Sequence, residues 1–141
     1  MVEDPYLDGV ADLLGIEPAM VVQRRGRWKD VDHGVRAAVE RRIGGDPLDE
    51  SADEIVEVVL LCWRAGDGDL VDALMDAMGN LSHHGVIWLL APEAGRDGQV
   101  EPGELAEAVP TAGLLRTSDV SLDGGWAATR LTRPPGWRTR R

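Results

Sequence analysis

Two unbroken apolar runs, Val58-Val-Leu-Leu-Cys-Trp63 and Val86-Ile-Trp-Leu-Leu90, constrain this chain more than any other feature. A strand apolar at every position has no solvent face, so it must be covered on both sides, as in a parallel sheet. Between the runs, Leu70, Val71, Leu74, Met75, Met78 and Leu81 recur at helical spacing, with Asp69, Asp72 and Asp76 outside that stripe. This predicts a helix over 69–81. A second helix opens at Pro102, with Leu105, Ala108 and Val109 on its apolar side. Pro110 is expected to break its last turn and Gly113 to end it. The stretch 51–113 therefore reads strand (54–63), helix, strand (86–91), helix. Ser51-Ala-Asp-Glu54 has capping-box spacing. The β-branched residues Ile55, Val56, Val58 and Val59 favour a strand instead.

The flanking segments extend the same unit. Asp4-Pro5 caps a helix carrying Leu7, Val10, Ala11 and Leu14, closed by Gly15. Met20–Gln23 is a short strand, and 26–30 is a loop carrying Trp28. Asp32 caps a helix with Val35, Ala38, Val39 and Ile43 on one stripe, ended by Gly44-Gly45, and any strand at Leu48 is minimal. Segments 116–122 and 126–132 form a hairpin across Asp123-Gly-Gly125. Strands alternating with helices, then a hairpin, give a three-layer, Rossmann-like, mostly parallel α/β sheet with an antiparallel C-terminal edge. That is the plan of a methyltransferase domain. One domain spans 1–132, and 133–141 is a flexible Arg-rich tail.

Charge narrows the partners. There are 25 acids against 15 bases, a net charge of -10, which repels nucleic acid and anionic lipid. The tail, with Trp137 and four arginines, suits a protein contact better than nucleic acid. No apolar run approaches the ~18 residues of a membrane span. With one cysteine, Cys62, no internal disulfide forms, and a cytoplasmic location is the simplest expectation.

Three segments carry a resemblance: Leu14-Gly-Ile-Glu-Pro-Ala-Met-Val-Val22, Gly85-Val-Ile-Trp-Leu-Leu-Ala-Pro92 and Gly125-Trp-Ala-Ala-Thr-Arg-Leu131. Together they resemble a small actinobacterial family of unknown function whose members look like trimmed methyltransferase-like Rossmann domains. None of these motifs is catalytic, so the resemblance implies a fold rather than an activity.

A Rossmann-like cofactor site needs a glycine-rich turn after the first strand, where free amides meet the ligand. Here that turn is Arg24-Arg25-Gly26-Arg27-Trp28, with one glycine, and the acid expected near the next strand end is Asp49 or Glu50. No cofactor is expected from this turn; S-adenosylmethionine belongs to the alternative reading. An anionic ligand held by Arg24, Arg25 and Arg27 is one alternative, with a solvated basic loop the favoured expectation; Arg24, Arg25 and Trp28 count among the candidate crevice residues. Ligands of open α/β sheets bind beyond the carboxyl ends of the strands. Trp63, Arg64, Pro92 and Glu93 fall there, and with Asp49 they complete the candidate crevice. In the bland reading Trp63 packs on its helix and Arg64 pairs with Asp67 or Asp69.

Residues 93–104 place Gly98 and Glu104 as in an EF-hand loop, but Gly95 stands where a ligand is required and the preceding run is a strand. His83-His84, at the end of the predicted helix, complement its dipole, and no metal site is assigned. These features point to a non-catalytic binding or regulatory module for a protein partner or small ligand, with homodimerisation open. The alternative is a small S-adenosylmethionine-dependent methyltransferase, or another enzyme using the crevice.

Overall fold

A computed structural model of the chain describes residues 4–135. Its helices are α1 (Pro5–Leu13), α2 (His33–Ile43), α3 (Leu70–Ala77) and α4 (Pro102–Thr111). Its strands are β1 (Val22–Gly26), β2 (Val56–Cys62), β3 (Leu81–Pro92), β4 (Leu115–Leu122) and β5 (Trp126–Thr132). They form one sheet in the order β1-β2-β3-β5-β4, with β1, β2 and β3 parallel and β5 and β4 antiparallel. Among the described residues, no helix is long and apolar enough to cross a membrane.

Alternate residues of β2 and β3 feed two separate cores. Val58, Leu60, Trp88 and Leu90 face α1 and α2, where they meet Val10, Leu14, Val35 and Val39. Val59, Leu61, Ile87 and Leu89 face α3 and α4, where they meet Leu70, Leu74, Leu105 and Val109. Each fully buried Leu or Ile contributes about 2 kcal/mol, so the central strands drive assembly from both sides. In the α1–α2 core the Trp88 indole reaches a distant main-chain acceptor, its Nε1 donating to the Leu14 carbonyl at 2.9 Å.

Capping follows the sequence closely. Asp4, Asp32 and Asp69 each accept backbone N–H bonds at a helix start, and Gly44 leaves α2 in the left-handed conformation. Pro110 does not break α4. It sits one residue before the end, and the Thr111 hydroxyl donates to the Glu107 carbonyl at 2.7 Å, closing the turn.

Three segments differ from expectation. β1 runs through Arg24 and Arg25 to Gly26, because its whole length pairs with β2, Arg24 with Leu60, Arg25 with Leu61 and Gly26 with Cys62. On its other edge Arg24 N–H donates to Leu48 O at 2.8 Å and Leu48 N–H to Val22 O at 2.9 Å. α3 stops at Ala77, and Leu81 already belongs to β3, paired with Val56. His83 and His84 therefore lie in a strand that bulges, not at a helix terminus. Arg133, assigned from sequence to the tail, is held instead. Its guanidinium donates to Ser82 O at 2.7 Å and to Met78 and Leu81 O at 3.3 Å, covering the end of α3. The remainder of the tail, 136–141, lies outside the described residues.

Two left-handed glycines separate conformational cost from steric cost. Gly26 (φ 76°) presses against the Cys62 carbonyl so closely that no Cβ fits, whereas nothing lies within 4 Å of a Cβ at Gly44 (φ 79°). Gly44→Ala is expected to cost about 1 kcal/mol, the left-handed penalty alone. Gly26→Ala should cost about 3 kcal/mol or more, because β1 and β2 must also separate. Urea unfolding of the two variants checks this, and equal losses would contradict it.

Candidate functional site

The loops at the carboxyl ends of β1, β2 and β3 meet the β4–β5 turn. Ala65 N–H donates to Gly98 O at 2.9 Å, and Glu93 N–H donates to Gly125 O at 2.9 Å, so these loops are tied to each other through the main chain. Arg64 lies at their centre. It pairs with Asp30 at 3.4 Å, donates to the Asp97 carbonyl at 3.1 Å, and stacks 5.5 Å from the centroid of the Trp126 ring. A Cβ at Gly98 would crowd its side chain. Asp67, offered by the sequence as the partner of Arg64, accepts only that residue's backbone N–H at 2.9 Å. Its side-chain partner is Arg27, at 2.9 Å. A polar cleft of about 630 Å³ lies among Arg27, Asp30, Arg64, Asp67 and Asp97. A second cleft, of about 490 Å³, lies between Arg64, Arg96 and Trp126.

The turn after β1 has a different geometry from a cofactor cradle. Gly26 N–H donates to the Glu50 carboxylate at 3.1 Å. With Leu48 paired to β1 just before it, the Glu50 side chain takes the place of the next carbonyl of a missing neighbouring strand. A nucleotide cofactor seated on this turn needs open backbone amides. Gly26, the turn's one glycine, has its amide taken by the chain itself, so the residues present do not fit that mode of binding.

The structure divides the predicted crevice residues among several surroundings. Trp28 is 5% exposed, in a short 3₁₀ turn, and belongs to the core with Val35, Cys62 and Trp126. Its indole is large and flanked by polar residues, so the sequence shows it as loop, while α2 packing draws it inside. Arg24 and Arg25 are in a strand, not a solvated loop. Arg24 pairs with Leu60 and lies on the α2 side. Arg25 lies on the α3 side, donates to Gln23 at 3.1 Å, and sits 4.0 Å from Glu50. Asp49 turns away to accept the Ser51 hydroxyl at 2.6 Å and amide at 2.9 Å, and these bonds hold its pKa below the ordinary carboxylate value.

Trp63 belongs to the α3–α4 core and also borders a cleft with Arg25, Gly26 and Glu50. Arg64 and Pro92 meet beside Trp126. Pro92 and Glu93 also border a separate, mainly apolar hollow under α4. Sequence reasoning missed Arg96, which rests against Gly125 where a side chain would collide, and Asp119 and Thr129, which face each other across β4 and β5. Those contacts depend on strand register, which spacing does not reveal. Among the described residues, no group of three or more His, Cys, Asp or Glu is placed to hold a metal ion.

The fold is Rossmann-like: a mostly parallel α/β sheet with antiparallel C-terminal strands, a plan shared with methyltransferases of known structure. Among solved structures, the chain is similar to the pyocyanin biosynthetic protein PhzM (TM-score 0.59, 12% identity, 92% of this chain and 54% of that one). It is also similar to magnesium protoporphyrin IX methyltransferase from Synechocystis with bound SAM (0.54, 11%, 91% and 78%). A SAM-dependent methyltransferase from Aquifex aeolicus is similar at 0.55 and 10% identity, over 89% and 88% of the two chains. The chain thus spans about half the length of PhzM, and at these identities the likeness concerns fold alone.

Residues 11–135 match the model of DUF3052, described as a protein of unknown function, and the chain belongs to that family. It is 51% identical over 129 residues to the uncharacterized proteins Rv2239c of Mycobacterium tuberculosis H37Rv and Mb2263c of Mycobacterium bovis. The match covers 92% of this chain and 81% of each relative.

Two residues give direct checks. Burial, with Asp30 adding to it, pushes the Cys62 thiol far above its ordinary pKa. Cys62 should resist iodoacetamide at pH 8 and react only once denaturant unfolds the chain. Arg64→Ala should cost about 1 kcal/mol, since the Arg64 side chain is one-third exposed and screening weakens its pair. Thermal unfolding followed by near-UV dichroism of the tryptophans measures both the loss and the uncovering of Trp126.

Proposed function

We propose that this chain is a methyltransferase-like module that binds or regulates without transferring a methyl group. Its partner is a protein, a second copy of the chain, or a small molecule, and its setting is the cytoplasm. The observation that carries this reading is the Glu50 carboxylate on Gly26 N–H, which occupies the amide that a cofactor would use. Two ion pairs support it: Arg27–Asp67 and Arg64–Asp30 link the segment after β1 to the loop after β2 across the crevice mouth. Opening that mouth for a large cofactor would break both. A net charge of -10 further disfavours nucleic acid.

A second reading keeps an enzyme in view, because solved methyltransferases with bound SAM share this fold and because Asp49 and Glu50 lie in the segment beside β1. Calorimetric titration with S-adenosylmethionine and with its demethylated product separates the two. The non-catalytic module gives no saturable heat with either. Micromolar affinity for either compound would sink it and favour the enzyme.

A further inference from the structure

The α3–α4 face of the sheet is unevenly filled. Ala91 of β3 and Ala127 of β5 are direct cross-strand partners and both are partly exposed, beside Leu89, which is 2% exposed. Two methyl groups side by side leave a depression where larger side chains would close the layer. Above it stand Val100 and Leu105, and the hollow between measures about 380 Å³. That volume falls within the range of about 300–1,000 Å³ typical of small-molecule sites.

The polar groups at its edge are few and of one net sign. Glu93 borders the upper end, and among the described residues its carboxylate makes no hydrogen bond or ion pair. Asp119, on the outer strand, accepts the Thr129 hydroxyl at 2.9 Å and two N–H bonds from Arg116 at 3.0 and 3.2 Å. All three go to Oδ1. The one base on the rim, Arg116, is therefore already neutralised by its neighbour, and Glu93 leaves the hollow with a net negative charge. Apolar walls with an unpaired carboxylate at one end complement a cation on a compact apolar body.

We propose that this hollow binds a small amphipathic amine, its apolar part over Ala91 and Ala127 and its ammonium group toward Glu93. The proposal rests on the reading of the chain as a binding module and gives that module a ligand class. It concerns a different place from the turn at Gly26, so each can fail without the other.

The test is a titration of the ¹⁵N-labelled full chain with phenethylamine, with phenylacetate as the same body of opposite charge. S-adenosylmethionine is added in a parallel titration. Phenethylamine should give saturable amide shifts at Ala91, Val100 and Ala127, and phenylacetate should bind at least about tenfold more weakly, a difference of about 1.4 kcal/mol. Ala127→Leu fills the floor and should abolish these shifts while leaving the thermal midpoint unchanged or higher. Glu93→Gln should weaken the amine about tenfold and leave phenylacetate unaffected or improved.

Equal affinity for the two probes, an unchanged affinity in Glu93→Gln, shifts confined to Arg27, Arg64 and Trp126, or no saturable shift at millimolar amine each overturns the proposal. Binding of S-adenosylmethionine at Gly26 would overturn the non-catalytic reading and leave the amine result to stand by itself.

Discussion

Burying β2 and β3 on both faces at once is the constraint to which the rest of the molecule answers. Two adjacent strands whose central stretches, 58–62 and 86–90, are apolar at every position cannot be satisfied by one helical layer, so α1 and α2 must cover one side and α3 and α4 the other. The requirement also extends sideways, because a two-stranded core has two raw edges. β5 and β4 cover one edge antiparallel, and β1 covers the other. Beyond β1 the sheet tapers quickly, through one bridge at Leu48 and one side-chain substitute at Glu50. The same economy that finishes the sheet there also occupies the turn on which a Rossmann-like cofactor would sit.

The crevice shows how loops with few apolar residues are fixed. It has no core of its own, so its geometry comes from charge pairs, main-chain bonds and glycines that permit close approach. Gly26 lets β1 meet the Cys62 carbonyl, and Gly125 lets Arg96 lie flat against the hairpin turn. Arg64 joins three of these elements through Asp30, Asp97 and Trp126. Exposed ion pairs of this kind contribute little each, about 0–1 kcal/mol. Their effect is on position: they decide which carboxylates remain open to a ligand. Glu93 stays open, whereas Asp30 and Asp67 do not.

The fold class was legible because it rests on patterns local in sequence: the apolar runs at 58–63 and 86–90, the helical stripe through Leu70 and Leu74, and the Asp-Gly-Gly reversal at 123–125. These also gave the order of elements and most of the caps. Errors arose where a residue's environment is set from far along the chain. Trp28 reads as a loop residue because its neighbours are charged, yet it is buried in the α1–α2 core. Leu81 continues the periodicity of α3, yet pairing with Val56 takes it into β3. Arg133 reads as tail until the carbonyls of Met78, Leu81 and Ser82 are seen to surround it.

By itself, then, the sequence determined a two-sided parallel sheet with a closing hairpin, because periodicity records which side of each element meets water. It also determined that the turn after the first strand holds a single glycine. Only the tertiary structure decided that Glu50 takes that glycine's amide, that Arg27 rather than Arg64 is the side-chain partner of Asp67, and that Ala91 and Ala127 stand side by side on the floor of an open hollow. Those outcomes depend on strand order and register. They bring together residues tens of positions apart, and no local pattern in the chain encodes such distances.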